Sequence, residues 1–371
     1  IAVSRLGGDE FTVVLNQVDG AEAARLVAGR IATQVAQPIV IDGHELILRP
    51  GIGIALAPAH ATDVEALLRA ASIAKQHTRD PAVTDRICTY SRDMAGTGES
   101  RMRLETDLRR AIDRGELFLH YQPQVDSHSG SVAGAEALLR WDHPERGLVP
   151  PGEFVRLAED IGYMDTLGDW VLVEACRQIR SFNEAGVKLP RLAINVSATQ
   201  FNSRFVERVA AVLAETGVPA SQLELGLTEG IMTRHDSDTE AALQALQASG
   251  VYLSVDDFGT GYSPLSYLGQ YPLDELKINR QLLLESDRSE NGAKLVAAII
   301  AMARSLDLQI LATGVESEAQ FRFLTENGIQ LLQGYLLSEP VPAEQLQTML
   351  SPWHFMERLQ QLSNPASSVR A

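Results

Sequence analysis

The chain of 371 residues carries 32 basic and 48 acidic residues, a formal net charge of −16. Such a surface disfavours broad attraction to nucleic acid or anionic membrane, so no DNA, RNA or membrane contact is expected of this segment. The length can hold two domains with sizeable cores, and no apolar run approaches a membrane span or reads as a signal peptide.

The first predicted element is a hairpin at Arg5-Leu6-Gly7-Gly8-Asp9-Glu10-Phe11, followed by the short apolar run Gly51–Pro58. A small, polar stretch from Arg92 to Ser100 reads as a linker. Met102–Asp113 then places Leu104, Leu108 and Ile112 at helical spacing. Beyond it, short apolar runs end repeatedly in an acid, an amide or a lysine. Val132–Ala135 ends in Glu136, Leu192–Ile194 in Asn195, and Leu223–Leu227 in Thr228 and Glu229. Val251–Val255 ends in Asp256 and Asp257, and Leu276–Ile278 in Asn279. Ile310–Ala312 leads through Thr313 and Gly314 to Val315 and Glu316, and Ile329–Leu332 leads to Gln333 and Gly334. Amphipathic stretches lie between most of them, at Trp170–Ala185, Phe205–Thr216, Thr239–Ser249 and Ala293–Leu306. Alternating strands and helices imply a parallel sheet, and six or more such units with polar strand ends imply a barrel with its site on the C-terminal face. The tail from Ser363 is expected to fray. Cys88 and Cys176 show no metal or redox spacing and read as packed thiols of a reducing cytoplasm.

Asp256-Asp257-Phe258-Gly259-Thr260-Gly261 is the most informative run. Two adjacent acids at the end of a buried strand need cations or donors around them. The glycines that follow permit a sharp turn and close approach of a ligand. The pattern suits divalent metals bridged by a carboxylate, activating water against a phosphodiester. Oxygen donors without His or Cys favour Mg²⁺ or Mn²⁺ over zinc.

The set AEALLRW at 135–141, NVS at 195–197, LTE at 227–229, DDFGTGYSPLSYL at 256–268, LKIN at 276–279, GVE at 314–316 and QGY at 333–335 resembles the EAL domain over residues 100–355. QP at 122–123 and PPGEF at 150–154 fit the same pattern. The resemblance implies an α/β fold, a TIM-like (β/α)8 barrel with one strand reversed, and Mg²⁺- or Mn²⁺-dependent hydrolysis of cyclic di-GMP to pGpG. It also implies a homodimer through the barrel. It assigns Glu136, Asn195, Glu229 and Asp256 to a first metal, with Asp256 bridging to a second and Asp257 beside it. Lys277 would hold the attacking water, with Gln333 assisting at the substrate or water. Arg140 would pair with a phosphate, and Gln122, Leu138, Phe258, Gly259, Thr260, Gly261 and Gly334 would complete the substrate surface.

The Arg5–Phe11 run resembles the signature hairpin of GGDEF domains, the diguanylate cyclases, and Gly51–Pro58 resembles a later strand of the same α+β domain. Residues 1–93 are read as its remaining half, from which no synthesis of cyclic di-GMP is expected. The predicted order is therefore a partial GGDEF domain at 1–93, a linker helix at 94–112, an EAL domain at 113–355 and a tail at 356–371. A sensory or membrane segment upstream is compatible with this order.

Two positions depart from the EAL pattern. Asn279 stands where an aspartate is usual, and Thr313 where a glutamate serves as base or second-metal ligand. Threonine is a poor ligand for a hard cation and too weakly acidic to pass protons near neutral pH. Gly226, where an acid is common, is the smaller departure. The expected function is a cyclic di-GMP-binding domain with weak or absent hydrolysis. An active phosphodiesterase, with Glu316 or a water substituting for Thr313, is the competitor that a turnover assay separates. A protein-interaction scaffold without nucleotide binding is the third reading, which a binding assay separates.

Overall fold

The computed structural model describes residues 2–7, 10–16, 18, 20–41, 44–46, 48–78, 85–233, 237–258 and 268–363. Two compact units divide between Asp107 and Leu108. In the first, Ala2–Gly7 and Glu10–Val14 form an antiparallel hairpin. Ile52–Ile54 pairs in parallel with Ile87–Thr89, and helices Gly20–Val35 and Val64–His77 accompany them. Its core is small, built on Ala24, Ala28, Ile54 and Ile87. Gly8 and Asp9 of the signature hairpin lie outside the described residues.

Helix Arg92–Ala111 begins where the sequence reading placed a polar linker. Its C-terminal turns bury Leu104, Leu108 and Ala111, a seam that draws the polar start into the same helix. Past residue 355, helix Met356–Ser363 buries Leu359 and Leu362, so the second unit continues beyond the boundary read from sequence.

The second unit is a closed barrel of eight strands: β1 (Leu117–Asp126), β2 (Val132–His143), β3 (Leu192–Val196), β4 (Leu223–Thr228), β5 (Tyr252–Phe258), β6 (Glu275–Ile278), β7 (Gln309–Ala312) and β8 (Leu331–Leu332). β3 to β8 pair in parallel in sequence order, and β3 also pairs in parallel with β2. β1 is the reversed strand, antiparallel to both β8 and β2. The cause is local. The tight turn at 127–131 is held by Asp126 Oδ1, which accepts from the backbone N–H groups of His128 and Ser129 at 2.8 Å each. A turn that short cannot carry a parallel crossover.

Strand alternation sorts the side chains. On β4, Leu223, Leu225 and Leu227 join the apolar core, and so do Leu253 and Val255 on β5 and Leu276 and Ile278 on β6. The alternate positions Glu224, Ser254, Glu275 and Lys277 are buried too, but in a polar interior. This barrel is thus apolar toward its helices and charged within. The predicted helices appear as Met164–Glu184, Ser203–Thr216, Ser237–Ala248 and Glu290–Ser305.

Candidate functional site

Glu136 is the hub of the site. Register places it opposite Gln122 on β1 and Ala193 on β3. Its Oε1 accepts from Asn195 Nδ2 at 2.7 Å, and its Oε2 accepts from Gln333 Nε2 at 2.5 Å. Gln333 also donates to Gln122 Oε1 at 3.0 Å, and its own oxygen accepts from Gln124 at 3.3 Å. Gln122 donates onward to the Ser338 carbonyl at 3.0 Å. Burial pushes the Glu136 carboxyl above its ordinary range and Asp256 adds to this, while Lys277 and the two amide donors oppose it. β2, β3 and the end of β8 therefore meet at one carboxylate, and β1 joins them through Gln122.

Lys277 is 1 % exposed and lies 2.9 Å from Glu224 Oε1. Burial alone would pull its ammonium down. Glu224, then Asp256, Glu136 and Glu275, together hold it above its ordinary value. Glu224 also accepts from Ser254 Oγ at 2.8 Å. Beneath them, Arg191 approaches Glu224 at 3.6 Å and Glu275 at 3.5 Å, with its guanidinium 3.7 Å over the Tyr252 ring. Glu224, Glu275, Arg191 and Gln124 were missed by sequence reasoning. The signal available was period-2 alternation, with charges where a barrel strand ordinarily carries apolar residues on both faces.

The departing positions are neutral and already engaged. Thr313 Oγ1 donates to the Ile278 carbonyl at 3.1 Å. Asn279 caps helix Arg280–Arg288, its Oδ1 accepting from the Leu282 N–H at 3.0 Å. A Cβ at Gly226 would stand 2.9 Å from Asn195 Oδ1 and 3.5 Å from Lys277 Nζ, inside the polar interior. Glu316, offered as a substitute for Thr313, is ion-paired with Arg280 at 2.7 Å and does not join the Glu136 cluster by any described hydrogen bond.

The remaining predicted residues are less tightly gathered. Arg140 lies on β2 with Nη1 donating to the Leu139 carbonyl at 2.9 Å. Burial lowers its pKa, with Tyr335 and Glu136 opposing. Leu138 sits two residues earlier on the same strand, opposite His120. Glu229 opens the short helix Glu229–Met232 at the end of β4, where Thr228 pairs with Asp256. Phe258 packs its ring into the apolar core. Gly334 is required by packing, since a Cβ would lie 2.1 Å from the Val315 carbonyl oxygen. Gly259, Thr260, Gly261 and the side chain of Asp257 lie outside the described residues.

The donor chemistry bears on metal. Glu136, Asn195 and Asp256 offer hard oxygen atoms, and the acids Glu136, Glu224, Asp256 and Glu275 interact with the cations Lys277 and Arg191. Carboxylate and amide oxygens of this kind suit a hard divalent cation. Among the described residues, no three His, Cys, Asp or Glu side chains gather as a metal cluster. Gly226, Asn279 and Thr313 carry no carboxylate.

Residues 105–340 match the EAL domain family, and residues 2–80 match the diguanylate cyclase GGDEF domain family. The bifunctional diguanylate cyclase/cyclic di-GMP phosphodiesterase MucR of Pseudomonas aeruginosa is 41% identical over 93% of this chain and 50% of its own length. The cyclic di-GMP phosphodiesterase NbdA of the same organism is 38% identical over 95% of this chain and 45% of its own length. The chain thus spans about half the length of the curated relatives it matches. A solved structure of the PaMucR phosphodiesterase in complex with c-di-GMP aligns with TM-score 0.63 and 46% identity, over 66% of this chain and 99% of that one.

Proposed function

Because the chain belongs to the EAL domain family, we propose that its barrel binds cyclic di-GMP and hydrolyses it to pGpG weakly or not at all. One observation carries this reading. The two strand ends where the family pattern places an aspartate and a glutamate hold Asn279 and Thr313, and both side chains are spent on backbone hydrogen bonds. Neither can take up a proton from water near neutral pH, and neither supplies charge to a hard cation. The binding half is organised independently of them. Glu136, Asn195, Gln122 and Gln333 form one hydrogen-bonded network.

Arg140 offers a planar fork suited to a phosphodiester. Glu136, Asn195 and Asp256, with Glu229 and Asp257 at adjoining strand ends, would hold a divalent cation, Mg²⁺ or Mn²⁺. When bound, that cation would offset phosphate charge. Lys277 supplies a fixed positive charge in the same interior. A second reading, an active phosphodiesterase, is favoured by the relatives themselves, since MucR and NbdA are both named as cyclic di-GMP phosphodiesterases. Binding is tested by calorimetry with cyclic di-GMP in the presence of Ca²⁺, a cation that supports contacts without turnover. The unmodified chain is expected to bind. Arg140→Ala removes a charge-assisted pair worth about 1.5–3 kcal/mol, a loss of about 10- to 150-fold in affinity. No heat of binding from the unmodified chain would leave only the scaffold reading.

A further inference from the structure

Lys277 reaches the site from β6, but what fixes it lies on β4, one level deeper in the barrel. Glu224 is fully buried and holds the Lys277 ammonium at 2.9 Å. The next inward position on β4 is Gly226, which offers no side chain to compete for that ammonium although its α-carbon faces it. Glu224 is itself braced. Ser254 donates to the same oxygen that pairs with Lys277, and Arg191 approaches the other oxygen from the N-terminal end of β3. A flexible four-carbon stem is thereby given one anchored partner below the site, with Asn195 and Glu136 beside it.

We propose that Glu224 is a positioning residue for nucleotide binding: it fixes Lys277 Nζ beside Asn195 and Glu136, so that the ammonium meets ligand charge from a set place. A free ammonium in this interior could instead swing toward Glu275 or Asp256, both of which act on it electrostatically. Arg191 balances Glu224 and Glu275 together, which keeps Glu224 available to Lys277.

The test is a double-mutant cycle on the full 371-residue chain with Glu224→Gln and Lys277→Met. It is read by calorimetry with cyclic di-GMP and by the Lys277 side-chain ammonium resonance in nucleotide-free, ¹⁵N-lysine-labelled protein. The calorimetric arm rests on the nucleotide-binding reading; the resonance arm does not. Glu224→Gln is expected to shift or broaden the Lys277 resonance and to weaken nucleotide affinity about tenfold. In the Lys277→Met background it is expected to cause no further loss, since the residue it acts through is gone. Equal losses in both backgrounds would mean a merely structural role and overturn the proposal. An unchanged Lys277 resonance in Glu224→Gln would overturn it as well, whether or not the unmodified chain binds nucleotide.

Discussion

Glu275 shows how much of this barrel is decided by single buried charges. Burial first, and then the neighbouring Glu224, push its carboxyl up to about 8 from an ordinary 4.5. A group whose pKa is raised by folding adds stability that is fully present below its unfolded value and is lost as pH rises through its folded value. The native protein should therefore lose melting temperature between about pH 5 and pH 8, as Glu275 is forced to ionise in place. Glu275→Gln mimics the protonated form. It is expected to match the unmodified chain near pH 5 and to exceed its melting temperature at pH 8, measured by scanning calorimetry in chelator. Parallel curves for the two proteins would show that Glu275 is compensated at all pH values. None of this was visible as chemistry in the sequence. LELGLTE reads as alternation, and only the closed barrel reveals that Glu224 and Glu275 share one interior with Lys277. The setting of Gly226 was hidden for the same reason: it comes from the Asn195 and Lys277 atoms that a side chain there would meet.

Strand ends and helix starts coincide in this fold, so one residue can serve both an element and the site. Asn279 is the clearest case. It closes β6 and caps helix Arg280–Arg288. Removing the cap with Asn279→Ala is expected to cost about 1 kcal/mol in denaturant unfolding. Asn279→Asp keeps an acceptor for the Leu282 N–H and adds a charge that suits a helix N-terminus, so it should leave stability nearly unchanged. A large loss from Asn279→Asp would mean that the interior rejects a further negative charge. Elements with strong periodic signals were legible in advance, including the helix running Met164–Glu184, the strands that carry Asn195 and Asp256, and the strand that leads to Glu229. The start of helix Arg92–Ala111 was not, because its glycines and serine read as a break while burial of Leu104 and Leu108 further along holds the turn sequence helical.

Across the whole molecule, the barrel was legible in the order of the motifs, and its reversed strand in the resemblance to the EAL domain. What lay hidden was the charged interior, since it is built from residues far apart in sequence such as Arg191, Glu224, Glu275 and Lys277. The N-terminal unit, matched to the GGDEF family, has a small core of its own. The central claim, that this barrel binds cyclic di-GMP but has lost the groups needed to cut it, is a claim about Thr313 and Asn279, with Gly226 beside them. Loss of a general base alone typically costs about 10²–10⁴ in rate. The direct measurement is conversion of cyclic di-GMP to pGpG with Mn²⁺ at high protein concentration, for the unmodified chain and for Asn279→Asp/Thr313→Glu. The account predicts little or no product from the unmodified chain. A gain of about 10²-fold or more is expected from the pair, coupled rather than additive, and vanishing with Glu136→Ala. Robust turnover by the unmodified chain, unchanged by the paired substitution, would contradict the account and establish the active-phosphodiesterase reading in its place.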